Sequence, residues 1–388
     1  MQKIKVLIID QMGVLASERK KYQELSQFQN LDLTVVVPKE WRFNFREVSF
    51  EENPQSQSQY KIMPLPVAFP GFGHRSFYLN AFRNILGDLK PDIIHIFQEP
   101  YSFFAAQIVL ARNLFLPKAK IIFITWQNFY LKNYPYAFSK LYSFIEKRTF
   151  KNSICATPIT QSADHVLTKR GFRNKTQILN WGIDLDLFKK QNPVDLKKQL
   201  HIEDRFIVGY VGRFVEEKGI LDILKATAPL DDEMALLLVG DGPIKPEIEY
   251  LAKQLDLKDR LIIINSLSNS EMSQYINCMN VLVLPSRDSK YWKEQLGKVL
   301  LEAMACEVPV IGSDSGEIPN VIRDSGMIFK SGDPIDLRAK LSDIKSNKNG
   351  VQQLAHKARE RVHSIYSWKT IAKNLNTLYN ELMQCSLS

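Results

Sequence analysis

The chain has 388 residues, of which 45% are hydrophobic and 24% are charged, and its formal net charge is +9. This length accommodates two or three globular domains, and no stretch approaches the roughly 20 apolar residues of a membrane-spanning helix. The first ten residues hold too short an apolar run for a signal peptide, so we expect a cytoplasmic protein. The four cysteines are scattered without a Cys-x-x-Cys pair, which disfavours a zinc site and a disulfide framework.

The first half of the chain alternates short apolar runs of strand length with stretches typical of helices. The predicted strands are residues 4–9, 33–37, 93–97 and 121–125, and the predicted helices are residues 17–28, 74–89 and 101–114. This alternation is typical of a parallel sheet covered by helices. Because ligands of such sheets bind beyond the carboxyl ends of the strands, we expect functional residues in the loops that follow them.

Four loops of the first half carry candidate residues. Gly13 can bring backbone amides close to a diphosphate, whereas the lack of a Gly-x-Gly-x-x-Gly pattern disfavours a nicotinamide site. The other candidates in these loops are His74, Glu99, Gln127 and Asn128. His95 lies within a predicted strand, and we interpret it as a hydrogen-bonded histidine of the core.

Residues 110–151 form a basic segment. It contains eight lysines and arginines and one acid, Glu146, so its net charge is eight minus one, or +7. Aromatic residues are mixed with these cations. One interpretation is a solvated face over an aromatic-rich core, and another is a surface for anionic lipid headgroups. A nucleic-acid partner is not expected, because no base-reading motif accompanies the charge.

Residues 181–188 lead out of the first half and contain the pair Asp184-x-Asp186. We interpret Asp184 as a turn former and not as a metal ligand, and we expect no metal site. The charged run at 189–204 completes the boundary. We therefore expect one domain over residues 1–188, a second over 189–365, and a final amphipathic helix within 366–388.

The second half repeats the alternation. Its predicted strands are residues 206–211, 235–239, 261–264, 281–284 and 309–311. The first of them ends at Gly212, and two cations, Arg213 and Lys218, follow in the turn. Two cations five residues apart across a strand-to-helix turn can converge on one diphosphate, with arginine offering a fork and lysine a point charge.

Residues 281–306 combine a buried strand, a loop and an apolar helix that begins after Gly297. Glu302 lies within this helix, where a carboxylate needs a partner from the fold or from a ligand. The first-turn amides after Gly297 offer an anion site, and Glu294 lies on the loop ahead of them. The alternative is that Glu302 is an ion-paired core residue and Glu294 a solvated loop charge.

The spacing Glu294-x7-Glu302, followed by Ala-Met-Ala-Cys, resembles the donor-site motif of family 4 glycosyltransferases, which are retaining enzymes of the GT-B fold (glycosyl transferases group 1). The Gly-Arg-x4-Lys-Gly signature of that family also resembles the turn that carries Arg213 and Lys218. The resemblance is strong over residues 209–319 and loose before residue 110. It implies an α/β fold of GT-B type, with two Rossmann-like domains facing across a deep cleft and a C-terminal helix that packs back on the N-terminal domain.

The resemblance also implies roles for individual residues. Arg213 and Lys218 would neutralise the leaving diphosphate, and Glu294 would contact the sugar hydroxyls. The expected donor-binding residues are Gly13, Gly212, Asp241, Gly297, Lys298, Val299 and Glu302. The expected acceptor side contains His74 and Glu99, and Gln127 or Asn128 takes the place of a histidine that contacts the transferred sugar in many family members.

The implied activity is metal-independent transfer of a hexose, with retention, from a nucleotide sugar such as a UDP- or GDP-sugar, and no further cofactor is expected. The basic aromatic segment at 110–151 suggests a lipid-linked saccharide or polysaccharide precursor as acceptor, and a peripheral position on the inner face of the membrane. The alternatives are a glycosidase, a nucleotide-sugar epimerase of GT-B fold, and a non-catalytic sugar-binding protein.

Overall fold

The computed structural model describes residues 3–43, 46–52, 60–79, 82–130, 138–265 and 267–384. The chain divides into two compact units. The N-terminal unit comprises Met1–Gly182 together with Trp368–Ser388, and the C-terminal unit comprises Ile183–Ser367. The chain therefore leaves the N-terminal unit and returns to it for its last helix.

The N-terminal unit is built on a parallel sheet. Its strands are β1 (Ile4–Asp10), β2 (Leu31–Pro38), β3 (Glu40–Phe43), β4 (Arg46–Ser49), β5 (Lys61–Leu65), β6 (Val67–Ala68), β7 (Phe77–Tyr78), β8 (Ile93–Phe97), β9 (Lys120–Thr125), β10 (Ser153–Pro158) and β11 (Lys175–Thr176). Its helices are α1 (Lys20–Ser26), α2 (Arg83–Leu89), α3 (Phe103–Phe115), α4 (Ser139–Asn152) and α5 (Gln161–Lys169). Within the described residues the sheet has the order β11-β10-β9-β8-β1-β2-β5, and β3-β4 and β6-β7 form separate antiparallel pairs.

The C-terminal unit repeats this architecture. Its strands are β12 (Phe206–Val211), β13 (Met234–Val239), β14 (Leu261–Ile264), β15 (Val281–Leu284), β16 (Val310–Ser313) and β17 (Met327–Phe329). Its helices are α6 (Val194–Gln199), α7 (Ile220–Thr227), α8 (Lys245–Gln254), α9 (Asn269–Asn277), α10 (Lys298–Ala305), α11 (Ile318–Ile322), α12 (Pro334–Ser346) and α13 (Lys348–Arg361). The described strands pair in parallel in the order β14-β13-β12-β15-β16-β17.

The central strands are apolar on both faces because helices cover both sides of each sheet. All six residues of β13 are buried, and so are all four residues of β15. The last helix, α14 (Trp368–Gln384), places its apolar residues at helical spacing and buries them in the core of the N-terminal unit beside α1. The α/β class with two Rossmann-like halves and a returning C-terminal helix is thus confirmed.

His95 is a hydrogen-bonded core histidine, as predicted. Its Nδ1 lies 2.9 Å from the hydroxyl of Tyr379 on α14, and its Nε2 lies 3.1 Å from Oγ1 of Thr157. Burial lowers the pKa of His95 to about 3, so the imidazole is neutral at ordinary pH. The predicted turn at Asp184 is also present, because its Oδ1 accepts a hydrogen bond from the Asp186 amide at 3.0 Å.

The predicted helix over residues 74–89 is wrong in its first half. A short 3-10 turn occupies Gly73–Arg75, β7 follows, and α2 begins at Arg83. The reason is tertiary, since Tyr78 pairs with Val67 in the β6-β7 hairpin and exchanges hydrogen bonds with the Gln107 side chain on α3. Sequence reasoning also missed β5, β10, β11 and β17, which are short or contain proline.

No helix in the described ranges combines the length and apolar character needed to cross a bilayer. The same residues contain no cluster of three or more His, Cys, Asp or Glu side chains arranged to hold a metal ion. Cys155, Cys278 and Cys306 are buried free thiols, whereas Cys385 lies outside the described residues. Burial raises the pKa of these three thiols to between about 11 and about 12, which makes them unreactive.

Candidate active site

Two loops of the C-terminal unit meet at the carboxyl edge of its sheet. The turn after β12 carries Lys218, and the loop after β15 carries Glu294. Because β12 and β15 are neighbours in the sheet, these loops lie side by side although their residues are far apart in sequence. The Lys218 ammonium and the Glu294 carboxylate form an ion pair with Nζ and Oε2 2.6 Å apart.

Glu294 is buried, and the fold supplies it with a second donor. The hydroxyl of Ser286 donates to Oε2 of Glu294 at 2.6 Å. The Ser286 carbonyl in turn accepts hydrogen bonds from the hydroxyls of Ser313 at 2.6 Å and Ser331 at 3.2 Å. Three successive strand ends, those of β15, β16 and β17, therefore support the carboxylate.

The helix start at Gly297 has the geometry expected of an anion site. Gly297 has a φ of 68°, a left-handed conformation that glycine adopts most readily, and a Cβ there would lie 2.8 Å from Cδ2 of Leu284. The first-turn amides at Lys298 and Val299 follow directly. Glu302 is buried on the same helix, and Lys298 lies one turn before it, with Nζ 3.5 Å from Oε1 of Glu302. The fold therefore supplies the partner that this carboxylate requires.

Arg213 and Asp241 lie on neighbouring loops after β12 and β13. The Arg213 side chain is exposed, and we find no hydrogen bond or ion pair from its guanidinium to another described residue. The Asp241 carboxylate accepts a hydrogen bond from the amide of Gly242 at 2.8 Å, so its observed role is that of a turn former. The two loops are in backbone contact, because a Cβ at Gly240 would lie 1.9 Å from the carbonyl oxygen of Gly212.

In the N-terminal unit, Glu99 and the loop after β9 come together. The buried Glu99 carboxylate accepts hydrogen bonds from the hydroxyl of Thr125 at 2.8 Å and from the amide of Trp126 at 2.9 Å. Burial raises the pKa of Glu99 to about 7 despite these two bonds. Gln127 and Asn128 follow on the same loop, and Asn128 is buried. Glu99 thus holds the loop that carries both amide side chains.

Gly13 lies in a tightly packed corner after β1. A Cβ at this position would lie 2.7 Å from Cγ1 of Val37, and the Gly13 carbonyl accepts a hydrogen bond from Nε of Arg19 at 2.7 Å. The neighbouring Asp10 is fully buried and forms an ion pair with Lys21, with Oδ2 and Nζ 2.6 Å apart. The Asp10 carboxylate next to this corner therefore has its counterion within the fold.

His74 packs against aromatic rings. Its imidazole meets the ring of Tyr142 edge to face at 4.9 Å between centroids, and that of Tyr101 at 6.0 Å. Burial, assisted by the charge of Arg75, lowers the pKa of His74. Its observed neighbours are thus aromatic rings of α4 and of the segment ahead of α3.

The basic segment at 110–151 includes residues 131–137, which lie outside the described residues. On α4, Lys140, Lys147, Arg148 and Lys151 are exposed. Glu146, the one acid of the segment, is buried and pairs with the Arg170 guanidinium through two hydrogen bonds of 2.5 and 2.6 Å. The structure therefore removes the negative charge from this surface and leaves the cations.

Sequence reasoning missed two contributions to the candidate site of the C-terminal unit. One is Ser286, whose signal was its position directly after a strand and a proline. The other is the ion pair between Arg287 and Asp222, whose shorter contact is 2.5 Å. This pair connects the loop after β15 to α7, the helix that follows the Lys218 turn. No local sequence pattern indicates such a pairing.

The C-terminal unit is similar to known proteins. Residues 192–361 match the family described as Glycosyl transferases group 1. N-acetyl-alpha-D-glucosaminyl L-malate synthase of Bacillus anthracis is 30% identical over 207 residues, which are 52% of this chain and 52% of that protein. Capsular polysaccharide biosynthesis glycosyltransferase CapM of Staphylococcus aureus is 28% identical over 249 residues, which are 59% of this chain and 63% of that protein.

The matched region thus spans only 52% and 63% of the length of these two relatives. Among solved structures, HepE of Anabaena in complex with UDP has a TM-score of 0.74 at 15% identity, and the superposition covers 97% of this chain and all of that chain. At this identity the likeness shows a shared fold, which is the GT-B architecture.

Proposed function

We propose that this protein is a glycosyltransferase that moves a sugar from a nucleotide diphosphate sugar to an acceptor. The observation that carries the proposal is the meeting of the Lys218 ammonium and the Glu294 carboxylate beside the glycine that begins α10. A cation, a carboxylate and first-turn amides at one sheet edge suit a ligand that is both anionic and hydroxylated. The group 1 domain at residues 192–361 and the glycosyltransferase names of relatives support the same class.

The departure of a nucleoside diphosphate concentrates negative charge on the leaving phosphate. Lys218 would meet this charge with an ammonium, and the exposed Arg213 guanidinium would offer a planar fork to the phosphate oxygens. The amides of residues 297–299 would add dipoles that the fold has already oriented. Because these groups need little rearrangement during the reaction, they can stabilise the charge as it develops, and we propose that no metal ion is needed.

The two carboxylates would recognise hydroxyl groups of the donor. Glu294 would contact the transferred sugar, and Glu302 the ribose diol. We further propose that the anomeric configuration is retained. In this step the acceptor oxygen bonds to the anomeric carbon from the face that the phosphate leaves, the bond to the phosphate oxygen breaks, and the proton of the acceptor passes to that phosphate.

The acceptor would be bound by the N-terminal unit, where His74, Glu99, Gln127 and Asn128 are the candidate residues. Glu99, with a pKa of about 7, can be held in either protonation state near neutral pH, and it fixes the loop of Gln127 and Asn128. A lipid-linked saccharide or polysaccharide precursor is the proposed acceptor. The names of the capsular relative and other relatives support polysaccharide and glycoconjugate synthesis as the setting.

The surface of α3 and α4 supports a position at the membrane. These two helices pack against each other and expose large apolar side chains, with exposed fractions between 40% and 77%, at Leu110, Leu114, Phe115, Leu141, Phe144 and, at the start of α4, Phe138. The exposed cations of α4 lie among them. Apolar side chains flanked by exposed lysines suit an anionic bilayer, where each basic residue contributes about 1 kcal/mol. We therefore propose peripheral attachment to the inner face of the membrane.

A liposome sedimentation assay tests this attachment. Wild-type protein should pellet with vesicles rich in phosphatidylglycerol at low salt and not with neutral phosphatidylcholine vesicles. The double variant Leu141→Ser with Phe144→Ser should weaken binding about tenfold or more, because two apolar side chains no longer enter the interface. Ile335→Ser, which removes a side chain of similar exposure in the C-terminal unit, is the matched control. Equal binding by the double variant and the control would refute membrane attachment through the surface of α3 and α4.

A thermal-shift screen with UDP- and GDP-sugars tests the donor class, because a ligand that binds the native state raises the apparent stability. Release of nucleoside diphosphate in the presence of saccharide acceptors then tests turnover, with and without EDTA. Turnover that EDTA abolishes would contradict a metal-independent reaction. Conversion of the donor without acceptor would indicate an epimerase, hydrolysis of a glycoside without nucleotide a glycosidase, and binding without turnover a sugar-binding protein.

A further inference from the structure

The loop at residues 287–293 lies between β15 and Glu294 and is closed on itself. The amide of Ser289 donates to the carbonyl of Trp292 at 2.8 Å, and the Lys293 ammonium lies 2.7 Å from the Asp288 carboxylate. Asp288 also accepts a hydrogen bond from the hydroxyl of Ser315 at 2.6 Å. This bracing fixes the position from which the Trp292 side chain projects.

Trp292 contacts the cation of the candidate site. The Lys218 ammonium lies over the indole ring, 4.9 Å from its centroid, while it pairs with Glu294 at 2.6 Å. The Lys218 side chain is only 18% exposed, and the ring and the carboxylate both lie against its ammonium. A cation over an aromatic face is held more strongly as water is removed, and indole is the best of the aromatic faces.

Lysine has a flexible four-carbon stem, and its ammonium has no preferred direction of its own. A lysine that must meet a phosphate at a fixed place therefore gains from a neighbour that limits where the ammonium can lie. Glu294 provides one restraint, but in the proposed reaction this carboxylate also contacts the sugar. The indole ring is a restraint that donor hydroxyls do not compete for.

We propose that Trp292 is a positioning residue for Lys218, which it holds in the place where the ammonium meets the diphosphate of the donor. The inference rests on the proposed function. It adds Trp292, which lies outside both the turn that carries Arg213 and Lys218 and the Glu294-x7-Glu302 motif. Trp292 acts through Lys218 and not by its own contact with the nucleotide. Its removal should therefore weaken diphosphate binding only while Lys218 is present.

The same loop offers a matched control. The Lys290 ammonium lies over the ring of Tyr291 at 5.1 Å, and both residues are exposed. This second cation–aromatic pair has the same kind of geometry in the same loop, but its cation is Lys290 and not Lys218. Tyr291→Leu therefore removes an equivalent contact without touching the proposed site.

Binding of UDP and GDP to the full chain, measured by isothermal titration calorimetry, tests the inference through a double-mutant cycle. Trp292→Leu should weaken binding of the preferred nucleotide about five- to tenfold, and Trp292→Phe, which keeps an aromatic face, should restore most of it. Tyr291→Leu should bind like the wild type. In a Lys218→Gln background, Trp292→Leu should cause no further loss, because the residue through which it acts is gone.

Three results would overturn the inference while leaving the proposed function in place. These are wild-type affinity in Trp292→Leu, equal losses in Trp292→Leu and Tyr291→Leu, and additive losses in the double variant, which would mean direct contact between Trp292 and the nucleotide. Failure of the wild-type protein to bind any nucleoside diphosphate would overturn the proposed function, and this inference with it.

Discussion

The two units share one architecture, but their sheet edges handle charge in opposite ways. At the carboxyl edge of the N-terminal sheet, Asp10 and Lys21 are 1% and 3% exposed and form an ion pair, and Glu99 is buried against Thr125 and Trp126. At the corresponding edge of the C-terminal sheet, Lys218 is 18% exposed and Arg213 is on the surface. Charges at the first edge are part of the core, whereas at the second edge the Arg213 guanidinium is exposed and the Lys218 ammonium is partly accessible.

Because of this difference, we expect the charges of the N-terminal edge to contribute to folding stability and the cations of the C-terminal edge to contribute to ligand binding. A buried ion pair costs desolvation that its partner must offset, so losing one member destabilises the fold. A cation at an accessible edge contributes little to stability and is available to a ligand. The comparison therefore predicts that substitutions at the C-terminal edge change activity and that substitutions at the N-terminal edge change the free energy of unfolding.

The largest expected effect is loss of transfer in Lys218→Ala. Removing the ammonium that neutralises the leaving diphosphate should lower the turnover number about 1,000-fold. The melting temperature should fall only modestly, because the buried Glu294 carboxylate keeps the Ser286 hydroxyl as a donor. Steady-state release of nucleoside diphosphate measures the first quantity and thermal denaturation the second.

Lys225→Ala is the control for this experiment, because Lys225 is an exposed lysine on α7 in the same unit. Glu294→Ala should abolish transfer as Lys218→Ala does. Wild-type turnover in either variant would refute the assignment of Lys218 and Glu294 to the active site. Unfolding of Lys218→Ala would refute the proposed difference in stability between the two sheet edges.

The next effect is on stability. Asp10→Asn leaves the buried Lys21 ammonium without its counterion and should lower the free energy of unfolding by about 3 kcal/mol, measured by urea denaturation. Glu381→Gln removes one member of the exposed pair with Lys175 in the same unit and should cost less than about 1 kcal/mol. Equal costs in the two variants would contradict the view that the Asp10 pair belongs to the core.

The smallest effect is a pH dependence. Burial raises the pKa of Glu99 to about 7, above its ordinary value of 4.5, so the folded state holds this proton more tightly than the unfolded state. Its contribution to stability is fully present below about pH 4.5 and is lost as the pH rises through 7. Between pH 5 and pH 7 the free energy of unfolding of the wild type should therefore fall by about 2 kcal/mol more than that of Glu99→Gln.

Urea denaturation at several pH values measures this difference. The titration of His95 is present in both proteins and cancels in the comparison. Parallel pH profiles for the wild type and Glu99→Gln would show that the carboxyl is solvated and ionised throughout this range.

Much of the fold was predictable because its signals are local. The strands at residues 206–211, 261–264 and 281–284 are apolar runs bounded by glycine, proline or polar residues, and they occur where predicted. The strand and hairpin at residues 67–78 were not predictable in the same way. Phe77 and Tyr78 suit a helix or a strand equally, and only their packing against α3 decides between the two.

Motif spacing likewise identified Lys218 and Glu294 as candidates but contained no information about their partners. Ser286, Trp292 and Arg170 each change the chemistry of a predicted feature. Ser286 donates to Glu294, Trp292 covers Lys218, and Arg170 neutralises the one acid of the basic segment. None of these contacts follows from a local pattern, because each depends on which side chains the fold brings together.

By itself the sequence determined the alternation of buried strands and covering helices, and the turns that carry charged residues, because both depend on neighbours within a few positions. Only the tertiary structure decided which charges pair and which remain accessible. The reason is that the order of strands in a sheet sets the distances between charged side chains on different loops. Lys218 meets Glu294 because β12 lies beside β15, and Asp10 is enclosed because Lys21 and Tyr22 of α1 contact its carboxylate.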